Sequence, residues 1–212
     1  MFSFPSRLYP IVDTLGDSQR SHVALAQAIV DAGVRLFQLR VKDQPSGRFV
    51  EIAREIKTLA DHSGAQLIIN DRPDIAKLID AAGVHLGQQD LPAAAARQIL
   101  GPTKIVGVST HNLSQAEAAA REGAADYLGF GPIYPTTSKE RPDPVQGLDG
   151  LRSIRRRVGI PIVAIGGITA DTMAEVLTAG ADAVAMIGEI VGAADVRAKV
   201  RELLDYGPSE IR

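Results

Sequence analysis

Short apolar runs alternate with longer amphipathic stretches along the whole chain. The runs at 8–13, 36–40, 66–69, 84–86, 105–109, 127–131, 161–165 and 183–187 have the length and aliphatic character of buried strands. Between them, segments 21–32, 47–62, 74–81, 92–100, 114–122, 148–158, 171–179 and about 194–204 read as helices. Eight strands, each followed by a helix, predict a parallel sheet, because parallel neighbours need a crossover between them.

The ends of four predicted helices share a pattern: Asp31-Ala32-Gly33-Val34, Ala81-Ala82-Gly83-Val84, Arg121-Glu122-Gly123-Ala124 and Thr178-Ala179-Gly180-Ala181. Glycine there is expected to stop the helix in a left-handed conformation before the next strand. An open, doubly wound sheet is the rival to a closed one. The first strand runs into Val12-Asp13-Thr14-Leu15-Gly16-Asp17, which lacks the glycine fingerprint of a dinucleotide fold. The pattern therefore predicts an α/β fold of the (β/α)8 TIM-barrel kind, as one catalytic domain over residues 1–212.

Composition narrows the partners. With 212 residues, 45% of them hydrophobic, the chain can bury a full core and lies near the lower size limit for such a barrel. A net charge of -2 and a pI near 6.1 argue against a nucleic-acid-coating surface. The absence of cysteine rules out disulfides, thiolate metal sites and cysteine nucleophiles, and suits a reducing cytoplasm. The N-terminus does not read as a signal peptide, and no apolar run approaches the ~20 residues of a membrane helix. The expectation is a cytoplasmic protein with small-molecule partners and neither nucleic acid nor membrane. The outer helix faces show no clear interface stripe, so a homo-oligomer stays open.

Barrel active sites are built at the C-terminal ends of the strands, and here those ends are polar. By strand alternation Gln38, Arg40 and Lys42 share one face, and Phe37, Leu39 and Val41 the other. Two cations pointing into the barrel mouth suit a polyphosphate; the alternative is that both extend into solvent. Asp71 and Asp90, after strands three and four, suit an Mg2+ that keeps waters and binds substrate phosphate oxygens. Each could equally cap the helix that follows, since Pro73 and Pro92 stand at first-turn positions. Ser109 is close in sequence to His111, but adjacency is poor evidence for a catalytic dyad. His22, His62 and His85 have no metal-ligand spacing and read as solvated or packed.

Residues 132–147 form a sixteen-residue irregular stretch with four prolines, on the face where barrel sites form. Within it Thr136, Thr137, Ser138 and Lys139 make an array of donors for an anion. The glycines in Ile165-Gly166-Gly167-Ile168 and at Gly188 expose backbone N–H groups where these barrels bind a phosphate. The cluster Arg152, Arg155, Arg156 and Arg157 reads as a solvated helix face.

Several of these segments, taken in order, match a known pattern. They are Gln38-Leu39-Arg40-x-Lys42, Asn70-Asp71-Arg72, Gly83-Val84-His85-Leu86-Gly87-Gln88-x-Asp90 and Gly107-Val108-Ser109. Gly131-Pro132-Ile133-Tyr134-Pro135-Thr136-x-Ser138-Lys139 and Ile165-Gly166-Gly167-Ile168 complete the set. The set resembles the thiamine phosphate synthase family from residue 9 to about 190. The resemblance implies that Gln38, Leu39, Arg40, Val41, Lys42, Asn70 and Ser109 bind a hydroxymethylpyrimidine diphosphate, with Lys139 on its diphosphate. It implies Asp71 and Asp90 as Mg2+ ligands. Thr136, Thr137 and Ser138 would hold a thiazole phosphate, with backbone at Gly167, Ile187 and Gly188. Arg40, Lys42, Ser109 and Lys139 are the implied catalytic set, and the 132–147 loop is expected to close over both substrates. Two departures are visible: Val41 replaces a usual glutamate, and Gly188 stands where serine is common. A thiazole tautomerase of the same barrel, or a non-catalytic barrel that binds phosphorylated ligands, are the alternatives.

Overall fold

The computed structural model describes residues 2–14, 20–42, 44–136 and 143–206. The first half of the chain forms β1 (Leu8–Val12), α1 (His22–Asp31), β2 (Leu36–Leu39), α2 (Ser46–Ser63), β3 (Gln66–Asn70), α3 (Pro73–Leu78), β4 (Gly83–Leu86) and α4 (Ala93–Leu100). The second half forms β5 (Ile105–Thr110), α5 (Leu113–Glu122), β6 (Tyr127–Phe130), α6 (Gly147–Arg155), β7 (Ile162–Ile165), α7 (Ala170–Thr178) and β8 (Ala183–Met186). A short helix α8 (Gly188–Val191) and a final helix α9 (Val196–Leu204) follow. Each strand pairs in parallel with the next, and β8 returns to β1, so the sheet is a closed barrel. All eight expected strands are present, and the (β/α)8 architecture is the one the sequence predicts.

Aliphatic strand residues are buried on both faces because the outer helices cover the sheet. Inside the barrel the filling is partly polar. The Tyr9 and Tyr127 hydroxyls meet at 2.9 Å, a contact between β1 and β6 that has to cross the barrel. Below them, Phe2 stacks on Tyr127 at 5.4 Å between ring centroids, and Phe4 meets Tyr9 and Tyr127 edge-on. This aromatic plug closes the N-terminal end of the barrel, so the open end is the C-terminal rim.

Three local expectations change. Gly33, Gly123 and Gly180 take positive φ, but Gly83 does not; Asp80, at φ 53°, makes that turn instead. Gly83 opens β4, where a Cβ would lie 2.0 Å from the Ile105 carbonyl oxygen of the paired strand. Its need is for space. Arg155 is not a member of a solvated basic face: it reaches Asp182 Oδ2 at 3.0 Å and the Val158 and Ile160 carbonyls, tying α6 to neighbouring loops. Finally, α8 was not expected, and it follows the last strand directly at the rim.

Candidate active site

A cavity of about 470 Å³ opens at the C-terminal rim, within the ~300–1,000 Å³ usual for small-ligand sites. Its wall contains Gln38 and Arg40 from β2 and its end, Asn70 from β3, Ser109 from β5 and Thr136 from the loop after β6. Gly167, Ile187 and Gly188 complete the set after β7 and β8. Eight residues expected from sequence thus share one cavity. Leu39 and Val41 are buried on the other face of β2 and form no part of the cavity wall. Thr137, Ser138 and Lys139 lie outside the described residues.

Arg40 is held by a residue that the sequence reading passed over. Its guanidinium pairs with Asp13, at the end of β1, whose carboxylate is almost wholly buried. A buried charge requires a partner, so each group fixes the other beside the cavity. The only sequence signal was a lone acid at the end of an apolar strand.

Lys42, Asp71 and Asp90 are not part of the cavity wall; they follow Arg40, Asn70 and His85, which are, and Lys42 pairs with Asp71. Asp71 follows β3 at φ 63°, a left-handed conformation that aspartate tolerates better than most non-glycine residues. Asp90 accepts the Gly87 N–H at 2.6 Å and so shapes the turn after β4. Neither acid caps a helix: Arg72 precedes α3 and Pro92 precedes α4, both without a side-chain cap. Burial pushes the Asp90 carboxyl above the usual carboxylate range, and hydrogen bonding and charge from the adjacent Asp71 push it further; the Gly87 N–H and Lys42 oppose this. A carboxylate whose ionisation is opposed by burial and by a neighbouring acid is one a divalent cation beside both would relieve. Among the described residues no group of three or more acidic, histidine or cysteine side chains gathers. Two carboxylates are nevertheless enough for Mg2+, which keeps waters and shares substrate phosphates. The donor set fits such an ion.

The opposite side of the rim is built of backbone. Gly166 and Gly167 take φ of 100° and 64°, and a Cβ on Gly167 would lie 2.4 Å from the Pro135 carbonyl oxygen. That turn packs against the loop after β6: the N–H groups of Ile133 and Tyr134 donate to Ile165 and Gly166, each at 2.9 Å. Tyr134 also donates its hydroxyl to Glu175; burial together with that carboxylate pushes the phenol up to about 12. The short α8 begins at Gly188, and the first N–H groups of a helix have no partner within it.

Ser109 does have a histidine partner, but not its sequence neighbour. His85 Nε2 lies 2.9 Å from Ser109 Oγ, whereas His111 Nδ1 faces the Gly131 carbonyl at 2.8 Å. The other ring nitrogen of His85, Nδ1, meets the Tyr127 hydroxyl at 2.9 Å, where a catalytic triad would set a carboxylate. That is a poor arrangement for activating a serine nucleophile.

A closed barrel whose rim sets cations and paired acids opposite a glycine-built backbone cup defines a class: (β/α)8 enzymes that act on phosphorylated small molecules. A family model described as thiamine monophosphate synthase matches residues 8–190, and the chain belongs to that family. The thiamine-phosphate synthase of Chloroflexus aurantiacus is 47% identical over 93% of this chain and 90% of its own. That of Moorella thermoacetica is 46% identical over 92% and 93%. Among solved structures, a thiamine phosphate pyrophosphorylase from Pyrococcus furiosus superposes with a TM-score of 0.83 at 38% identity, covering 93% of both chains.

Proposed function

We infer that the protein is a thiamine phosphate synthase, a transferase that joins hydroxymethylpyrimidine diphosphate to a thiazole phosphate. The observation that carries this reading is convergence: Arg40, Asn70, Ser109, Thr136, Gly167 and Gly188 line one cavity, and Lys42, Asp71 and Asp90, outside its wall, follow the strands that supply Arg40, Asn70 and His85 to it. In the reaction the bond from the pyrimidine's methylene carbon to the diphosphate oxygen breaks, its electron pair leaving with diphosphate. The thiazole nitrogen supplies the pair for the new carbon–nitrogen bond. No proton has to be taken from either partner, so the chain needs no general base for this step.

The task of the protein is to hold two anions apart and stabilise one of them as it leaves. Arg40, kept at the rim by Asp13, and Lys42 offer positive charge to the diphosphate; Lys139 is assigned the same duty. Such preorganised charge is commonly the largest catalytic contribution. Asp71 and Asp90 would hold Mg2+, which when bound neutralises charge on the leaving diphosphate. Thr136, Thr137 and Ser138 with the backbone at Gly167, Ile187 and Gly188 would hold the thiazole's phosphate. Asn70, Gln38 and Ser109 then orient the pyrimidine between the two.

The test is release of diphosphate on mixing both substrates with purified protein, with and without EDTA. The expected result is stoichiometric diphosphate and thiamine phosphate, abolished by the chelator. A thiazole tautomerase or a simple binder releases none, and that outcome overturns the reading. We place the enzyme in the cytoplasm, consistent with the absence of cysteine; among the described residues no helix is long and apolar enough to cross a membrane.

A further inference from the structure

A line of hydrogen bonds dips from the cavity wall at Gln38 and Tyr9 to Tyr127, which packs against the aromatic plug, and returns to the wall at His85 and Ser109. Gln38 Nε2 donates to the Tyr9 hydroxyl at 3.4 Å, and the Tyr9 and Tyr127 hydroxyls lie 2.9 Å apart. Tyr127 is 2.9 Å from His85 Nδ1, and His85 Nε2 is 2.9 Å from Ser109 Oγ. Gln38, Tyr9, Tyr127 and His85 are all buried, whereas Ser109 is partly open to the cavity. Tyr127 is not part of the cavity wall.

One direction along the line gives every buried hydroxyl proton in it an acceptor. An amide nitrogen only donates, so the Tyr9 oxygen accepts and its own proton turns to Tyr127. Tyr127 then passes its proton toward His85 Nδ1. A neutral imidazole that accepts at Nδ1 carries its proton at Nε2, and that N–H donates to Ser109 Oγ. The serine oxygen is an acceptor on its buried side, which leaves its single proton for the cavity. Both phenols keep their protons throughout: burial pushes Tyr9 up to about 12 and Tyr127 well above its ordinary value.

The barrel reserves room for this line. A Cβ on Gly107 would lie 2.2 Å from Tyr127 Cζ and 2.6 Å from His85 Nδ1. One on Gly129 would lie 2.9 Å from His85 Cε1. Two neighbouring strands thus omit a side chain where the imidazole and the phenol stand.

We propose that Tyr9, Tyr127 and His85 are positioning residues that fix Ser109 as a one-way hydrogen-bond donor to the ring of a bound substrate. The proposal deepens the synthase reading, since it takes the pyrimidine to occupy the cavity floor. A substrate ring that offers an acceptor there is favoured, and one that offers an N–H meets a second donor and is rejected.

The direct test needs no substrate and so stands apart from the synthase reading. In protein labelled with ¹⁵N-histidine, His85 Nδ1 is expected to resonate as an unprotonated nitrogen and Nε2 as a protonated one at neutral pH. A proton on Nδ1, or on both nitrogens, overturns the proposal. In Tyr127→Phe the fixed tautomer is expected to be lost, and KM for the pyrimidine substrate to rise about tenfold with kcat changed less than twofold, the loss of one oriented hydrogen bond. In a Ser109→Ala background the same substitution should have no further effect on KM. Wild-type KM and tautomer in a folded Tyr127→Phe, or losses that simply add in the double variant, overturn it. Should Tyr127→Phe fail to fold, the wild-type spectrum still decides.

Discussion

On the proposed reading, the two sides of the rim meet the same demand, binding a phosphate group, with different materials. On the side of β2, β3 and β4 the groups are side chains: Arg40, Lys42, Asp71 and Asp90, each held by another charge or by a turn. On the side of β7 and β8 they are backbone, shaped by Gly166, Gly167 and the start of α8. Side chains can bring full charges and a metal ion to a leaving group whose charge grows during reaction. Backbone N–H groups are suited to a phosphate monoester whose charge does not change. The difference teaches that the first side should be fragile to truncation and the second to added bulk.

The sharpest break on the charged side is Arg40→Ala. Removing one preorganised cation is expected to lower kcat/KM by ~10²–10³, measured by diphosphate release. The loss should appear mainly in kcat, because the charge it answers develops in the transition state. Asp13→Asn tests the support of that cation. The guanidinium stays but loses its anchoring charge, so a smaller loss of about tenfold is expected, the scale of one charge-assisted hydrogen bond. Equal losses in the two variants would mean that Asp13 does more than hold Arg40.

On the backbone side the complementary break is Gly167→Ala. The positive φ and the nearby Pro135 carbonyl leave no room for a methyl group, so the turn and the loop packed on it have to shift. KM for the thiazole phosphate should rise about tenfold, while KM for the pyrimidine diphosphate changes little; a displacement of backbone donors weakens binding by an amount comparable to one lost hydrogen bond. A rise in both constants would remove the division of labour between the two sides.

How much of this was legible in the sequence follows the same division. The charged side was legible in part: strand alternation puts Gln38 and Arg40 in the cavity wall, but β2 ends at Leu39, and Lys42, Asp71 and Asp90 lie in the segments beyond the strands, outside that wall. The barrel itself was visible because buried parallel strands have to be continuous apolar runs. What was missed depends on contacts between distant strands. Asp13 has meaning only once β1 lies beside β2. Tyr9 and Tyr127 look like ordinary core aromatics until closure brings β1 and β6 across the barrel from each other. Gly83 was misread because a glycine needed for close strand approach looks the same in sequence as one needed for a turn. The short α8 gives too few residues for any period to register.

A subtler effect concerns the acid pair. The native fold raises the Asp90 carboxyl above its usual range, so the native state holds that proton more tightly than the unfolded chain. Stability tied to this group is therefore greatest at low pH and falls as pH rises through the raised native value. Without metal at pH 8, Asp90→Asn should unfold at the same temperature as the wild type or slightly higher. Mg2+ should then raise the wild-type midpoint and leave that of Asp90→Asn nearly unchanged, since only a state that binds the ion gains from it. A wild type indifferent to Mg2+ in thermal unfolding, at concentrations that support turnover, would remove Asp71 and Asp90 as its ligands.

The smallest expected effect discriminates best between side-chain and backbone binding. Gly188 has no positive φ, and a Cβ added there meets nothing within 4 Å. A serine at this position, common in related chains by the resemblance, fits without strain. If the phosphate is held by the N–H groups where α8 begins, Gly188→Ser leaves those groups in place, and kcat/KM should stay within about twofold of wild type, a change smaller than one net hydrogen bond. A gain of tenfold or more would instead mean that a hydroxyl belongs in the cup and that this chain operates without it. The comparison between the two sides of the rim would then have to be redrawn, because the backbone side would also depend on a side chain. The same variant also serves as a control for Gly167→Ala: of two glycines in one cup, the crowded one should lose binding on gaining a side chain and the open one should barely change.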